Sequence, residues 1–356
     1  MTIASQAYLE VKDQLITLLY SEDVSNIELA LEIGQNYPEF QEQLDKYRLF
    51  YRVALGKTLN ALTPENICEL LQLTKLDLQN TGLVKLPAEV VALRRLKNLH
   101  LNENFLSDLP TQIGYLPQLQ NLLVAKNELA RLLPEIGQIK SLEVLQVYDN
   151  QLQSLPSELQ QCKHLKYLFI NGNKIQDFPE VICSLPRLQI LALQHNQLSN
   201  VSAQIGNLRH LGHLNVSHNR LKDLPDTIGL LKKVGILELN HNRLAEFPLA
   251  ILEMNALAKL WMTHNQLRQV PAGVFDLPQL YQLNLSNNCI DQVNFSITNT
   301  QGSIVKLWLA NNQISRLPSS ISYLKNLQLL DVQNNPMSPE HVQEISHWLP
   351  GCEVIF

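Results

Sequence analysis

Charge is scarce in this chain: Asp, Glu, Lys and Arg make up 17% of its 356 residues, and a net charge of −5 is spread without long runs of either sign. No basic footprint for nucleic acid is present. No apolar run reaches the roughly 18 residues of a membrane helix, so no membrane association is expected. The opening residues, MTIASQAYLEVKDQL, carry acidic groups early and lack a basic-then-apolar order, so no signal peptide is expected. The five cysteines, Cys68, Cys162, Cys183, Cys289 and Cys352, are scattered and form no C-x-x-C pair. A disulfide framework or structural zinc site is therefore not expected, and a reducing, cytoplasmic setting is. Four Asn-x-Ser sequons, at Asn200, Asn215, Asn284 and Asn294, then read as chance. Phosphate-binding glycine motifs, H-E-x-x-H and G-x-S-x-G are all missing, which leaves no signature for catalysis or a cofactor. Cys352 has only a short terminal segment around it, with no room for a thiol-ligase domain.

What is there is a phrase, L-x-x-L-x-L-x-x-N-x-L, spelled twelve times. The copies begin at Leu73, Leu96, Leu119, Leu142, Leu165, Leu188, Leu211, Val234, Leu257, Leu280, Ile304 and Leu327, 23 residues apart with one spacing of 24. A fixed short period means stacked coils that bury a continuous core, and 45% hydrophobic content supports such a core. Within L-x-x-L-x-L the alternation at period 2 marks a short strand. Leu76, Leu99, Leu122 and Leu145 head one buried column; Leu78, Leu101, Val124 and Val147 head its neighbour. The Asn column runs from Asn104 to Asn335, with Thr81 in its place in the first copy. A buried amide there can satisfy backbone groups left unpaired at the turn. The return half reads L-P-x-x-I-G-x-L, as at Leu109-Pro110 and Ile113-Gly114. Proline stops the strand, and only a short helical or extended segment fits before the next leucine. Val201-Ser202 and Val293-Asn294 lack that proline, Pro134 comes one residue late, and the tenth return, to Ser303, is longer and polar. A local bulge is expected there.

These motifs resemble the leucine-rich repeat family, in the 23-residue form of intracellular Ras-group proteins and their bacterial relatives, over about three quarters of the chain. The resemblance implies an α/β solenoid: a horseshoe with a parallel β-sheet on its concave side and a cap at each end. Residues 1–62 read as a helical N-terminal capping region, 63–337 as the array with a half-repeat lead-in from 64, and 338–356 as a C-terminal cap. In the first region Ser25-x-x-Glu28 reads as a capping box with Gly34 ending its helix. Phe40, Leu44, Tyr47, Tyr51 and Leu55 follow at helical spacing, and Thr63-Pro64 starts another helix. A solenoid needs its open ends covered; an independent binding module is the other reading of these helices. Ser338-Pro339 begins a last helix, and Cys352 to Phe356 reads as a closing strand with a packed terminus.

On the concave side, Leu123, Val144, Tyr148, Tyr167, Phe169 and Ile190 form an apolar, aromatic patch across the third to sixth copies. Contiguous exposed apolar area tends to bind partners, with aromatics as anchors. Alternatively, residues that favour strands merely stabilise this sheet, or a loop covers them. Trp261 and Trp308 lie two repeats apart, roughly 10 Å at the usual strand spacing, with Lys259 and Lys306 two residues before them. They suit an extended peptide or a helix side chain, with the lysines favouring acidic character, or they pack as surface tryptophans. His195, His218, His241 and His264 occupy one column in four consecutive copies. Zinc ligands must approach within roughly 4 Å of one another, which next-but-one coils cannot do; stacked or solvated imidazoles are expected, with a pH-dependent interaction open. The chain thus reads as a non-catalytic, monomeric protein-binding module or scaffold. The resemblance implies two alternatives, a bacterial effector acting on host signalling proteins and a regulatory subunit of a small-GTPase or phosphatase complex.

Overall fold

The computed structural model describes residues 3–295 and 303–356, with side chains from residue 8 onward. Contacts divide it into two compact units: Met1–Gln151 with Pro156–Cys162, and Leu152–Leu155 with Lys163–Phe356.

The first unit opens with four helices, α1 (Ile3–Leu19), α2 (Val24–Gly34), α3 (Pro38–Leu55) and α4 (Pro64–Leu71). Tyr8, Leu15, Leu19, Ile27, Phe40, Tyr47, Ile67 and Leu71 share one core with Ala92 of the first coil. The helices therefore cover the apolar end of the first coil, which would otherwise face water. The N-cap of α2 is Asp23, whose carboxylate accepts from the amides of Ser25 (2.8 Å) and Asn26 (3.3 Å). The Ser25–Glu28 box is thus displaced by a better acceptor two residues earlier. The helix does end at Gly34, as expected, and the glycine is needed for space: a Cβ there would stand 2.1 Å from the Phe40 ring. The left-handed cap is Gly56 (φ 68°), closing α3 onto the Arg52 carbonyl. Thr63 caps α4 in a reciprocal box with Asn66, as its Thr-Pro start implies.

Four parallel strands follow, β1 (Lys75–Asp77), β2 (Asn98–His100), β3 (Asn121–Leu123) and β4 (Val144–Gln146). They pair in strict repeat register, Leu76↔Leu99, Leu99↔Leu122 and Leu122↔Leu145. In the second unit β5 (Tyr167–Phe169), β6 (Ile190–Ala192), β7 (His213–Asn215), β8 (Ile236–Glu238) and β9 (Lys259–Trp261) continue the same pattern. A side ladder of β10 (Gln269–Val270) and β12 (Gln292–Val293) flanks β11 (Gln282–Asn284), β13 (Lys306–Trp308) and β14 (Leu329–Asp331). After α5 (Pro339–Trp348), β15 (Glu353–Ile355) joins β14 in parallel, the closing strand that the terminal residues imply. Phe356 itself is 43% exposed rather than packed.

Ten of the returns among the described residues contain a five-residue 3₁₀ helix whose buried aliphatic residue, such as Ile113, Ile136, Ile205 and Ile228, fills the interior against the strand leucines. Where Val201-Ser202 lacks proline, Ser202 takes over by capping Gln204. The bulge expected in the tenth return falls on residues 296–302, outside the described residues. At Gly137 successive returns approach so closely that a Cβ would lie 2.3 Å from the Glu158 carbonyl oxygen.

The asparagines tie coil to coil. Asn127 Nδ2 donates to Val124 O in its own turn (3.2 Å) and to Leu101 O in the preceding coil (3.0 Å), while its Oδ1 accepts from Leu106 N (3.0 Å). Asn242 repeats this with Leu239 O, Val216 O and Leu221 N, each at 3.1 Å. A buried backbone group left unpaired costs about 1–3 kcal/mol. Asn242→Ala is therefore expected to lose about 2–4 kcal/mol, and the half-exposed Asn335→Ala less; thermal melting of both variants checks the order. Gly137→Ala should lower the melting midpoint by about 1–3 kcal/mol of stability. Gly212→Ala, whose Cβ would meet its nearest neighbour only at 3.7 Å, should stay near wild type.

Candidate functional site

Alternation along most of the three-residue strands buries the central residue and leaves its two neighbours half-exposed on the same face of the sheet. In the first unit that face carries Asn98 and His100, Asn121 and Leu123, and Val144 and Gln146, with Tyr148 just beyond β4. Asn121 and Asn98 join through their amides at 2.6 Å, and Leu123 lies in register between His100 and Gln146. Lys75 and His100 both face Asp77, at 3.0 and 3.4 Å. The Lys75 hydrogen bond in particular holds the Asp77 carboxyl below its usual range.

In the second unit Tyr167 and Ile190 are register partners, as are Phe169 and Ala192. The Tyr167 hydroxyl donates to Gln189 Oε1 at 3.3 Å. Further along, Trp261, Asn284 and Trp308 stand in one row and Lys259, Gln282 and Lys306 in the next. The Lys259 ammonium lies 5.9 Å from the Trp261 ring centroid and 5.7 Å from that of Tyr281. A cation held between two aromatic faces is fixed in place. Beside it His213 Nε2 meets Glu238 Oε1 at 2.8 Å, and Glu238 is the register partner of Trp261.

All ten anchors expected from the sequence are half-buried, neither turned into the core nor standing free. Parallel neighbours about 4.8 Å apart cover the flanks of each side chain. Tyr281 and the His213–Glu238 pair escaped the sequence reading. Tyr281 sits at the second position of its copy, ahead of the strand, and the His–Glu pair runs diagonally between coils; period-2 alternation marks neither.

The rim of the second unit carries the four histidines as a true stack. Ring centroids are 4.0, 4.1 and 4.0 Å apart from His195 to His264, with planes tilted by 15°, 15° and 13°. Each residue is left-handed, with φ of 52–56°. Because lone pairs lie in the ring planes, parallel rings do not aim them at a common point, and four cannot share one ion. The His218 imidazole is held below its usual pKa by burial first and then by His195, His241 and His264; His241 is lowered by burial, then by His264 and His195.

Burial pushes the Cys162 thiol up to about 11 and that of Cys183 up to about 12, so both are inert at neutral pH. No helix among the described residues is long and apolar enough to cross a membrane.

Residues 41–162 match a family model described as a leucine-rich repeat region, and residues 140–198 and 186–244 match a second, described as leucine rich repeat. Among curated proteins none matches. A leucine-rich repeat protein of Leptospira interrogans is 31% identical over 82% of this chain and 86% of its own, with a TM-score of 0.61. The plant peptide hormone receptor RGFR1, in complex with RGF2, is 25% identical over 77% of this chain and 50% of the receptor chain, with a TM-score of 0.59. An internalin, inlF, from Listeria monocytogenes is 21% identical over 87% of this chain and 94% of its own; its TM-score of 0.66 reflects the shared fold. Twelve in-register copies, parallel strands of three residues and the identity to the Leptospira protein lead to one conclusion: the chain belongs to the leucine-rich repeat family.

Proposed function

We propose that the chain is a non-catalytic binding module that recognises a protein partner on the half-exposed face of its sheet. The observation that carries this is the row of aromatic and apolar side chains held in register there: Tyr167, Phe169 and Ile190 on β5 and β6, and Trp261 and Trp308 with Lys259 and Lys306 on β9 and β13. Leu123, Val144 and Tyr148 contribute the same character in the first unit. Rigid, partly desolvated aromatics lose little entropy on binding and supply most of the energy of an interface. The plant receptor similar to this chain is a peptide hormone receptor, described in complex with RGF2, which supports an extended polypeptide as occupant. Lysines beside both tryptophans favour acidic character at that end.

The same reading takes the chain to act as a cytoplasmic monomer, without cofactor or nucleic acid. Its five cysteines are free and its charge is −5, which suit a reducing compartment and disfavour a polyanion.

Tyr167→Ala with Phe169→Ala is expected to weaken capture of the partner from source lysate about tenfold or more, with the thermal midpoint lowered only slightly. Trp261→Ala with Trp308→Ala should act in the same direction. Capture left intact by both double variants would refute the proposal.

A further inference from the structure

The residue before each turn asparagine is left-handed throughout the array, and many types serve there: Glu103, Lys126 and Asp149 in the first unit, Asn287, Asn311 and Asn334 in the second. Where that column carries polar side chains they pair with one another. Lys126 Nζ meets Glu103 Oε1 at 2.8 Å, and Asn334 Nδ2 donates to Asn311 Oδ1 at 2.9 Å. The four consecutive histidines differ. Their rings touch face to face, and among the described residues no hydrogen bond or ion pair engages their ring nitrogens. Neither the turn nor the stack needs those nitrogens, and they remain available to a ligand.

Among the described residues no carboxylate is hydrogen-bonded or ion-paired to these four rings. Two residues after His218 and His241 come Arg220 and Arg243, exposed and one coil apart, with no ion pair among the described residues. Lys222 and Asp223 follow Arg220, and Glu246 follows Arg243. Glu238, three residues before His241, is already engaged by His213 at 2.8 Å. The residues directly before the histidines, Gln194, Ser217, Asn240 and Thr263, carry no charge, and the column continues into Gly172 on one side and Asn287 on the other.

We infer that this rim, His195, His218, His241 and His264 with Arg220 and Arg243, is a second docking site that takes an acidic segment of a partner polypeptide and gains protons as it does so. The inference rests on the reading that the chain binds protein, but on none of the sheet-face residues. Adjacent imidazolium charges 4.0 Å apart would repel, and in the free ladder burial and then the neighbouring rings hold His218 and His241 below their ordinary proton affinity. Carboxylates laid along it remove that repulsion and favour the charged rings, and binding and protonation then promote each other. The two arginines supply charge at every pH and set the weak binding that precedes protonation. A short acidic segment needs only this local patch, whereas a long nucleic acid would also meet the overall charge of −5.

Folding is linked to the same protons. His218 and His241 are held below their ordinary value of 6.5, so the unfolded chain binds protons first as pH falls. Their contribution to stability is full above about pH 6.5 and is lost as pH drops through the folded-state values. His218→Asn with His241→Asn keeps a residue that already holds this backbone conformation at four other coils, at Asn80, Asn287, Asn311 and Asn334. This variant should melt with less acid sensitivity than the wild type.

The binding test uses the full chain and an oligo-aspartate peptide, with oligo-asparagine as control, by calorimetry in buffers of different ionisation heat. Affinity is expected to rise about tenfold or more between about pH 7.5 and about pH 5.5, with net proton uptake. The His218→Asn, His241→Asn variant should lose that rise, and the Tyr167→Ala, Phe169→Ala variant should keep it, which separates failure here from failure of the sheet-face reading. Binding that ignores pH, a rise that survives in the histidine variant, or no binding at either pH would overturn the inference. So would a rise seen with single-stranded DNA and not with oligo-aspartate.

Discussion

A side-chain amide buried in the turns from Asn104 to Asn312 governs the rest of this structure. Each asparagine satisfies carbonyls in its own coil and in the one before it, and accepts an amide from that preceding coil. Low polarity makes each unmade bond expensive, so the offset between coils cannot drift by a residue without stranding several backbone groups. Strand register, the depth of the leucines and the placing of the 3₁₀ returns all follow from that offset. Thr81 stands in the first copy, where no strand comes before β1: its hydroxyl reaches Leu78 O in its own turn at 2.9 Å and Asn104 Oδ1 in the next at 3.2 Å.

Fixed offset turns sequence columns into physical ones. Inside, this packs leucine on leucine; outside, it brings together side chains 23 residues apart that would not otherwise meet. The result depends on residue type. Opposite charges pair, as Lys126 does with Glu103, and amides bond, as in Asn334 and Asn311. Imidazoles stack, and burial and then the neighbouring rings hold His218 and His241 below their ordinary proton affinity. Glycine at 172 interrupts the rim column and bounds the histidine ladder on one side.

Much of this architecture was legible from period and alternation: the coils, the buried columns, the asparagine role and the closing strand. Detail at the ends was not. Ser25 and Asp23 are both acceptable caps by residue type, and the choice went to the carboxylate that reached two amides. Gly34 ends its helix as expected, but the need for glycine there, to make room for Phe40, was not legible. On the sheet face the anchors were placed correctly by column, yet their exposure was overestimated, because flanking coils cover each side chain. Tyr281 and the diagonal His213–Glu238 pair obey no column rule and needed coordinates.

By itself the sequence determined which residues share a column and which of them face water, since both are consequences of a repeat length and a period of two. Tertiary structure decided how deeply each side chain sits, which cation lies over which ring, and that four histidines stack with their nitrogens unpaired among the described residues. Those outcomes depend on separations of a few ångströms and on ring orientation. Packing between coils sets both, and no single coil encodes them.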